Sequence, residues 1–183
     1  MSKLKKLILS FTLGILLLSP LVFFQVKYGL LEFKSMFFLK QPLWFLFSLG
    51  IIFVIMDFIF PPLEKLLTAT FSFKHRWVFL EILPLVLAFI GALSTFVYPY
   101  LIFFILSLYT VIRLSFFHAK WDWLFFLLGA LFFTTLEILA TSFNLLRYAD
   151  PDFLGIPYWL PLQCGVLTLS ARRFIDVIEE RIK

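Results

Sequence analysis

The chain has 183 residues, 62% of them hydrophobic, with a mean hydropathy of +1.02 and a formal net charge of +5. A soluble domain of this size has no interior large enough to hide that much apolar surface, so composition places the chain in a membrane. Cys164 is the only cysteine, which excludes an internal disulfide and a cysteine-based metal cage; the basic excess lies between apolar runs and carries no argument for a nucleic-acid partner.

In chain order, Lys3, Lys5 and Lys6 precede an uncharged run from Leu7 to Val26. The run is long enough to span and no small-residue cleavage site follows it, so it reads as a retained first helix (residues 7–26) rather than a signal peptide. A mixed loop, residues 27–42, leads to a second span over residues 43–60 that stops at Pro61-Pro62. A polar loop follows, residues 63–76. The apolar stretch from Trp77 to Phe117 is too long for one crossing, since a helix rises roughly 1.5 Å per residue and the hydrocarbon core is about 30 Å thick. Tyr98-Pro99-Tyr100 is the place to turn, which gives spans over residues 77–97 and 101–117, with Arg113 snorkelling near the end of the second. A fifth span covers residues 121–143 and a sixth residues 158–173; Arg172 and Arg173 mark its exit, and the charged tail continues as helix.

With the N-terminus in the cytoplasm, only Lys27, Lys34, Lys40 and Arg147 fall on the outer side, and every other Lys and Arg falls inside. The positive-inside rule therefore puts both termini in the cytoplasm. The expected architecture is an all-α membrane protein, a single six-helix transmembrane domain over residues 1–183 with no internal repeat.

The longest break in the apolar sequence is Tyr148–Pro161. Asp150-Pro151 reads as a helix N-cap followed by proline at the first helical position. Tyr158 and Trp159 are ring types that settle at a membrane interface, and Pro161 falls in the first turn of the last helix. The gapless pattern Tyr148-x-x-Pro151-Asp152-Phe153-Leu154-x-Ile156-x-x-Trp159-Leu160-Pro161 resembles the last luminal loop and sixth helix of the insulin-induced gene (INSIG) family. A second block, Phe60-Pro61-Pro62-Leu63-Glu64 followed by Phe73-Lys74-His75-Arg76-Trp77, is similar to the family's loop between helices two and three. The resemblance, of a prokaryotic-type or divergent relative, implies an INSIG-like bundle that holds a neutral lipid, diacylglycerol- or sterol-like, in a central cavity, with no cofactor and no catalysis of its own. It implies a membrane-protein partner as well, and leaves a homo-oligomer open. Animal members carry an Asn-His-Ala-Ser-Ala-Lys-Leu-Asp-Phe motif entering the fourth helix; the corresponding stretch here, residues 91–100, is shorter and has no acid, so the animal proteins' sterol-sensing partner is not implied. The expected location is the cytoplasmic membrane in a prokaryote and the endoplasmic reticulum membrane in a eukaryote.

An ionisable group inside a span is a functional candidate by default. Asp57 and Glu81 lie near span ends and can snorkel to the interface. Glu137 sits among apolar residues in the fifth span, and Gln163 stands at similar depth in the sixth, with Thr134, Thr135 and Thr141 adding hydroxyls. An acid and an amide there could grip the hydroxyl of a diglyceride or sterol; the alternative is an interhelical hydrogen bond that only fixes packing. His75 and His118 stand alone, without metal-ligand spacing, and no Ser, His and Asp share a depth that would suggest nucleophilic catalysis. Gly14, Gly50, Gly91, Gly129 and Gly165 recur about once per apolar helix and suit close helix crossings. The other function classes are a small-solute-binding subunit of a membrane transporter, which would show a polar cluster on several helices, and a lipid-acting membrane enzyme, which would show paired acids or His.

Overall fold

A computed structural model describes residues 3–34, 41–66, 99–116 and 121–182. The expected third span, with Glu81 and Gly91, and the Lys74, His75, Trp77 and His118 positions lie outside the described residues. The described chain forms five helices and two short strands: α1 (Lys3–Lys27), β1 (Leu31–Phe33), α2 (Leu43–Leu66), α3 (Pro99–Phe116), α4 (Asp122–Ser142), β2 (Leu146–Tyr148) and α5 (Leu160–Ile182). Three helices, over Leu4–Lys27, Leu43–Leu63 and Asp122–Ser142, are long and apolar enough to cross a membrane. The fold is helical as expected, but loop segments after α1 and α4 pair as an antiparallel two-stranded sheet. A second difference is at Pro61-Pro62, which lie inside α2 rather than ending it. Proline already has helical φ, and the carbonyls that lose donors, those of Asp57 and Phe58, are near the end of the helix.

The chain packs as two hairpins. α1 lies along α2 and α4 along α5; α2 touches α5, and the strand pair ties the hairpins together. Small residues set the approach within each hairpin. A Cβ on Gly14 would stand 2.7 Å from the Leu49 carbonyl oxygen, and one on Gly50 would stand 2.6 Å from the Phe11 ring. In the other hairpin, a Cβ on Gly129 would run into Thr168 and one on Gly165 would meet Phe126 at 2.5 Å.

These contacts repeat. Gly14 and Gly129, Gly50 and Gly165, and Phe11 and Phe126 are each separated by 115 positions, the difference between Leu31 and Leu146 that also relates the strands. The correspondence extends to single hydrogen bonds. α1 ends with a bond from Gly29 N–H to Val26 O (3.1 Å) and one from Leu30 N–H to Gln25 O (2.8 Å); α4 ends with Asn144 to Thr141 (2.9 Å) and Leu145 to Ala140 (3.0 Å). Both are Schellman closures, and the residue that turns the chain has positive φ in each, 71° at Gly29 and 55° at Asn144. Phe45 N–H donates to Pro42 O at 3.0 Å, and Leu160 N–H to Pro157 O at 3.1 Å. In the sheet Glu32 pairs with Arg147, its own counterpart, so the axis relating the repeats passes through the strand pair. The expectation of no internal repeat is therefore corrected: the two hairpins are copies about a local two-fold. Their shared residues are sparse because a lipid-facing position accepts any apolar side chain; the match survives in Gly29-Leu30-Leu31-Glu32-Phe33 against Asn144-Leu145-Leu146-Arg147-Tyr148, and in Pro42-x-Trp44 against Pro157-x-Trp159.

Candidate functional site

Charges anchor one end of each hairpin. Asp57 of α2 accepts from Ser10 Oγ at 3.1 Å and pairs with Lys6 of α1 at 3.0 Å. Asp122, in the first turn of α4, receives Arg113 of α3 at 3.2 Å and, from α5, Arg172 at 2.7 Å and Arg173 at 2.9 Å. The Arg172 guanidinium also stands 4.0 Å from the centre of the Phe125 ring. Asp57, Arg113, Arg172 and Arg173 are thus buried and paired, where sequence reasoning expects the first two to snorkel and the last two to mark an aqueous exit. A run of cations at the end of an apolar stretch usually marks water; here an acid distant in sequence draws them inward.

Between the hairpins, beneath the strand pair, lies a cavity of about 300 Å³. Leu31 of β1 and Leu146 and Tyr148 of β2 roof it, and Met56 and Ala171 line its far end. Its walls follow the two-fold, with Val22 corresponding to Glu137, Gln25 to Ala140 and Ser48 to Gln163. The polar groups follow it only in part: Glu137, Tyr148 and Gln163 belong to the second hairpin and Gln25 and Ser48 to the first, so that Glu137 is answered by Val22 and Gln25 by Ala140. The Tyr148 hydroxyl donates to Glu137 Oε2 at 3.1 Å. Burial, and then the neighbouring Glu137 carboxyl, hold the Tyr148 phenol well above its ordinary range, so it remains a donor. An adjoining cavity of about 300 Å³ shares Ile52, Met56, Phe133, Leu136 and Thr168 with the first; apart from Thr168 its described walls, among them Ile55, Phe60, Phe125 and Leu128, are apolar.

Of the residues singled out from sequence, Glu137 and Gln163 meet in this cavity and the threonines do not. Thr141 Oγ1 donates to Ile138 O at 2.8 Å and faces the Gly155 turn; Thr135 donates back to Leu131 O at 2.7 Å. The Thr134 hydroxyl is buried beside Cys164 and does not line the cavity. Gln25 and Tyr148 were missed. Gln25 had a signal, as the amide in an otherwise apolar run; Tyr148 was absorbed into a motif.

The motif residues serve the approach to α5. Asp150-Pro151 does not cap a helix, which corrects that expectation, because α5 starts only at Leu160. The chain first turns through Leu154 and Gly155 (φ 51° and 81°), with Asp152 and Phe153 N–H both donating to Ile156 O at 3.1 Å. Asp152 Oδ2 then accepts from Tyr158 N–H at 3.2 Å. Trp159 is buried in the core, and Pro161 is in the first turn of α5. Phe153 is exposed, while Phe60 packs edge-on against Phe125 with ring centres 5.1 Å apart.

A helical membrane protein whose paired hairpins flank a mostly apolar cavity, with polar groups contributed by both, is the class this geometry defines. No family model matches the chain, and no curated protein matches it in sequence. Its fold matches the crystal structure of a mycobacterial Insig homolog, MvINS from Mycobacterium vanbaalenii, with a TM-score of 0.75 and 14% identity over 93% of this chain and 92% of that one. A cross-linked MvINS trimer gives a TM-score of 0.76 and 13% identity over 96% and 95% of the two chains. The chain is INSIG-like in fold, in agreement with the resemblance of its Tyr148–Pro161 segment.

Proposed function

We propose that this protein is a single six-span domain over residues 1–183, with both termini in the cytoplasm, and that it binds a neutral lipid, diacylglycerol- or sterol-like, in the cavity between its hairpins. The observation that carries the reading is a partly open, mostly apolar cavity within a membrane protein, lined by Glu137, Tyr148 and Gln163. A few placed polar groups in an apolar pocket orient an amphipathic ligand. Among the described residues no Lys or Arg lines the cavity, which disfavours an anionic head beside Glu137. The adjoining apolar cavity offers room for the ligand's hydrocarbon. The protein acts without catalysis, by presenting a lipid-dependent surface to a membrane partner, and assembles as a homo-oligomer; the trimer described for the mycobacterial homolog favours such an assembly.

Native mass spectrometry of the detergent-purified protein, with extraction of what it retains, tests this reading. A stoichiometric diglyceride or sterol that is lost from the Glu137→Leu/Gln163→Leu double variant is expected. No retained lipid, with a water-soluble metabolite bound in its place, would overturn it.

The second reading, a solute-binding subunit of a transporter, is favoured by one observation. Repeats related by a two-fold with the cavity between them are an arrangement that transporters use. Uptake of a labelled solute into vesicles that depends on the protein would promote it.

A further inference from the structure

Gln25 and Gln163 are each 5% exposed, and both line the cavity between the hairpins. Neither side-chain amide makes a hydrogen bond to another of the described residues, whereas a third buried glutamine, Gln41, donates from Nε2 to Ser19 O at 2.7 Å. Glu137 already has a donor in Tyr148. An amide brings two donors and an acceptor, and because the polar atoms of Gln25 and Gln163 stay open to the cavity, that capacity faces it. Two amides left in this way in one cavity point to something that occupies it.

Their placement matters as much as their number. Gln25 belongs to α1 and Gln163 to α5, so they approach from different hairpins. They are not two-fold mates; those are Ala140 and Ser48, which also line the cavity. The hairpins touch through α2 against α5 and through the strand pair.

We infer that Gln25 is a second anchor for the head of the bound ligand, and that the ligand links the two hairpins by spanning from Gln25 to Gln163. The inference rests on the lipid-binding reading above and deepens it. The ligand it requires is uncharged, with at least two hydrogen-bonding groups in its head, such as a hydroxyl and an ester carbonyl. A molecule with a single hydroxyl offers only one such group.

The test uses the full chain in detergent, with dioleoylglycerol as the probe and cholesterol as the single-hydroxyl comparison. Gln25→Met and Gln163→Met keep side-chain length and remove the amide. Loss of one neutral hydrogen bond is expected to weaken dioleoylglycerol binding about tenfold in each single variant. The double variant should be weaker still, about a hundredfold below the unaltered protein, because each amide holds its own group of the head. At the same concentration the probe should raise the melting temperature of the unaltered protein more than that of Gln25→Met. Should Gln25→Met fail to fold, Gln25→Asn, which withdraws the amide by one methylene, is read the same way. Unchanged dioleoylglycerol binding in the Gln25 variant overturns the inference, and so does tight binding of cholesterol alone; both leave the lipid-binding reading intact. An unaltered protein that binds neither probe overturns both.

Discussion

Asp122 accepts from the guanidinium groups of Arg113, Arg172 and Arg173, and none of the four residues is more than 4% exposed. Removing one partner from a buried ion pair typically costs about 3–5 kcal/mol, because the remaining charge loses its compensation. Asp122→Asn is expected to lower stability by about that amount, read as a fall in the detergent melting temperature, with Asp122→Glu milder. The Tyr148 hydroxyl is a lesser contributor. Tyr148→Phe removes one neutral hydrogen bond to Glu137 and should cost about 1 kcal/mol in the same melt. Sequence alone brought Glu137 and Gln163 together, because both interrupt apolar helices at comparable distances from one loop. It could not supply Asp122's partners, since Arg172 is fifty residues away and nothing local distinguishes a buried arginine from one that meets water.

The helices owe their close approach to small residues. Gly129→Ala would drive a methyl into Thr168, and overpacking of this kind costs about 1–3 kcal/mol. The melting temperature should fall, and Gly129→Ala/Thr168→Gly, which removes every atom of Thr168 in the way, should recover part of the loss. Gly14→Ala should resist such rescue, because one obstacle is the Leu49 carbonyl oxygen, which no side-chain change removes. The packing role of these glycines was legible from their recurrence in apolar runs. The strands were not legible: Leu31–Phe33 and Leu146–Tyr148 are three residues each, too short to set an alternating pattern, and each is completed by a segment far away in the chain. Pro61 and Pro62 misled for a different reason, since the rule that proline ends a helix weakens close to the helix's own terminus.

At the scale of the whole molecule, orientation is the property most open to direct test. Cys164 is the only cysteine and is buried, so an added cysteine reports its own surroundings. Asp150→Cys is expected to react with a membrane-impermeant maleimide from outside, and Ser2→Cys only after permeabilisation. The reverse pattern would invert the proposed topology. The repeat was hidden by composition: when most positions accept any apolar residue, two copies can diverge almost everywhere and keep the same shape. What persisted was backbone chemistry, the positive φ at Gly29 and Asn144 and the prolines at 42 and 157.

A duplicated hairpin also carries a history. A gene encoding one such hairpin would have built the cavity from two identical chains, and each substitution would have struck both walls together. A carboxyl at the position of Glu137 would then have been matched by another at the position of Val22. Once the copies are joined in a single chain, each wall is inherited separately, and one can acquire a carboxyl while the other stays apolar. Joining the two hairpins in one chain is thus what lets a symmetric frame carry a cavity whose two walls differ.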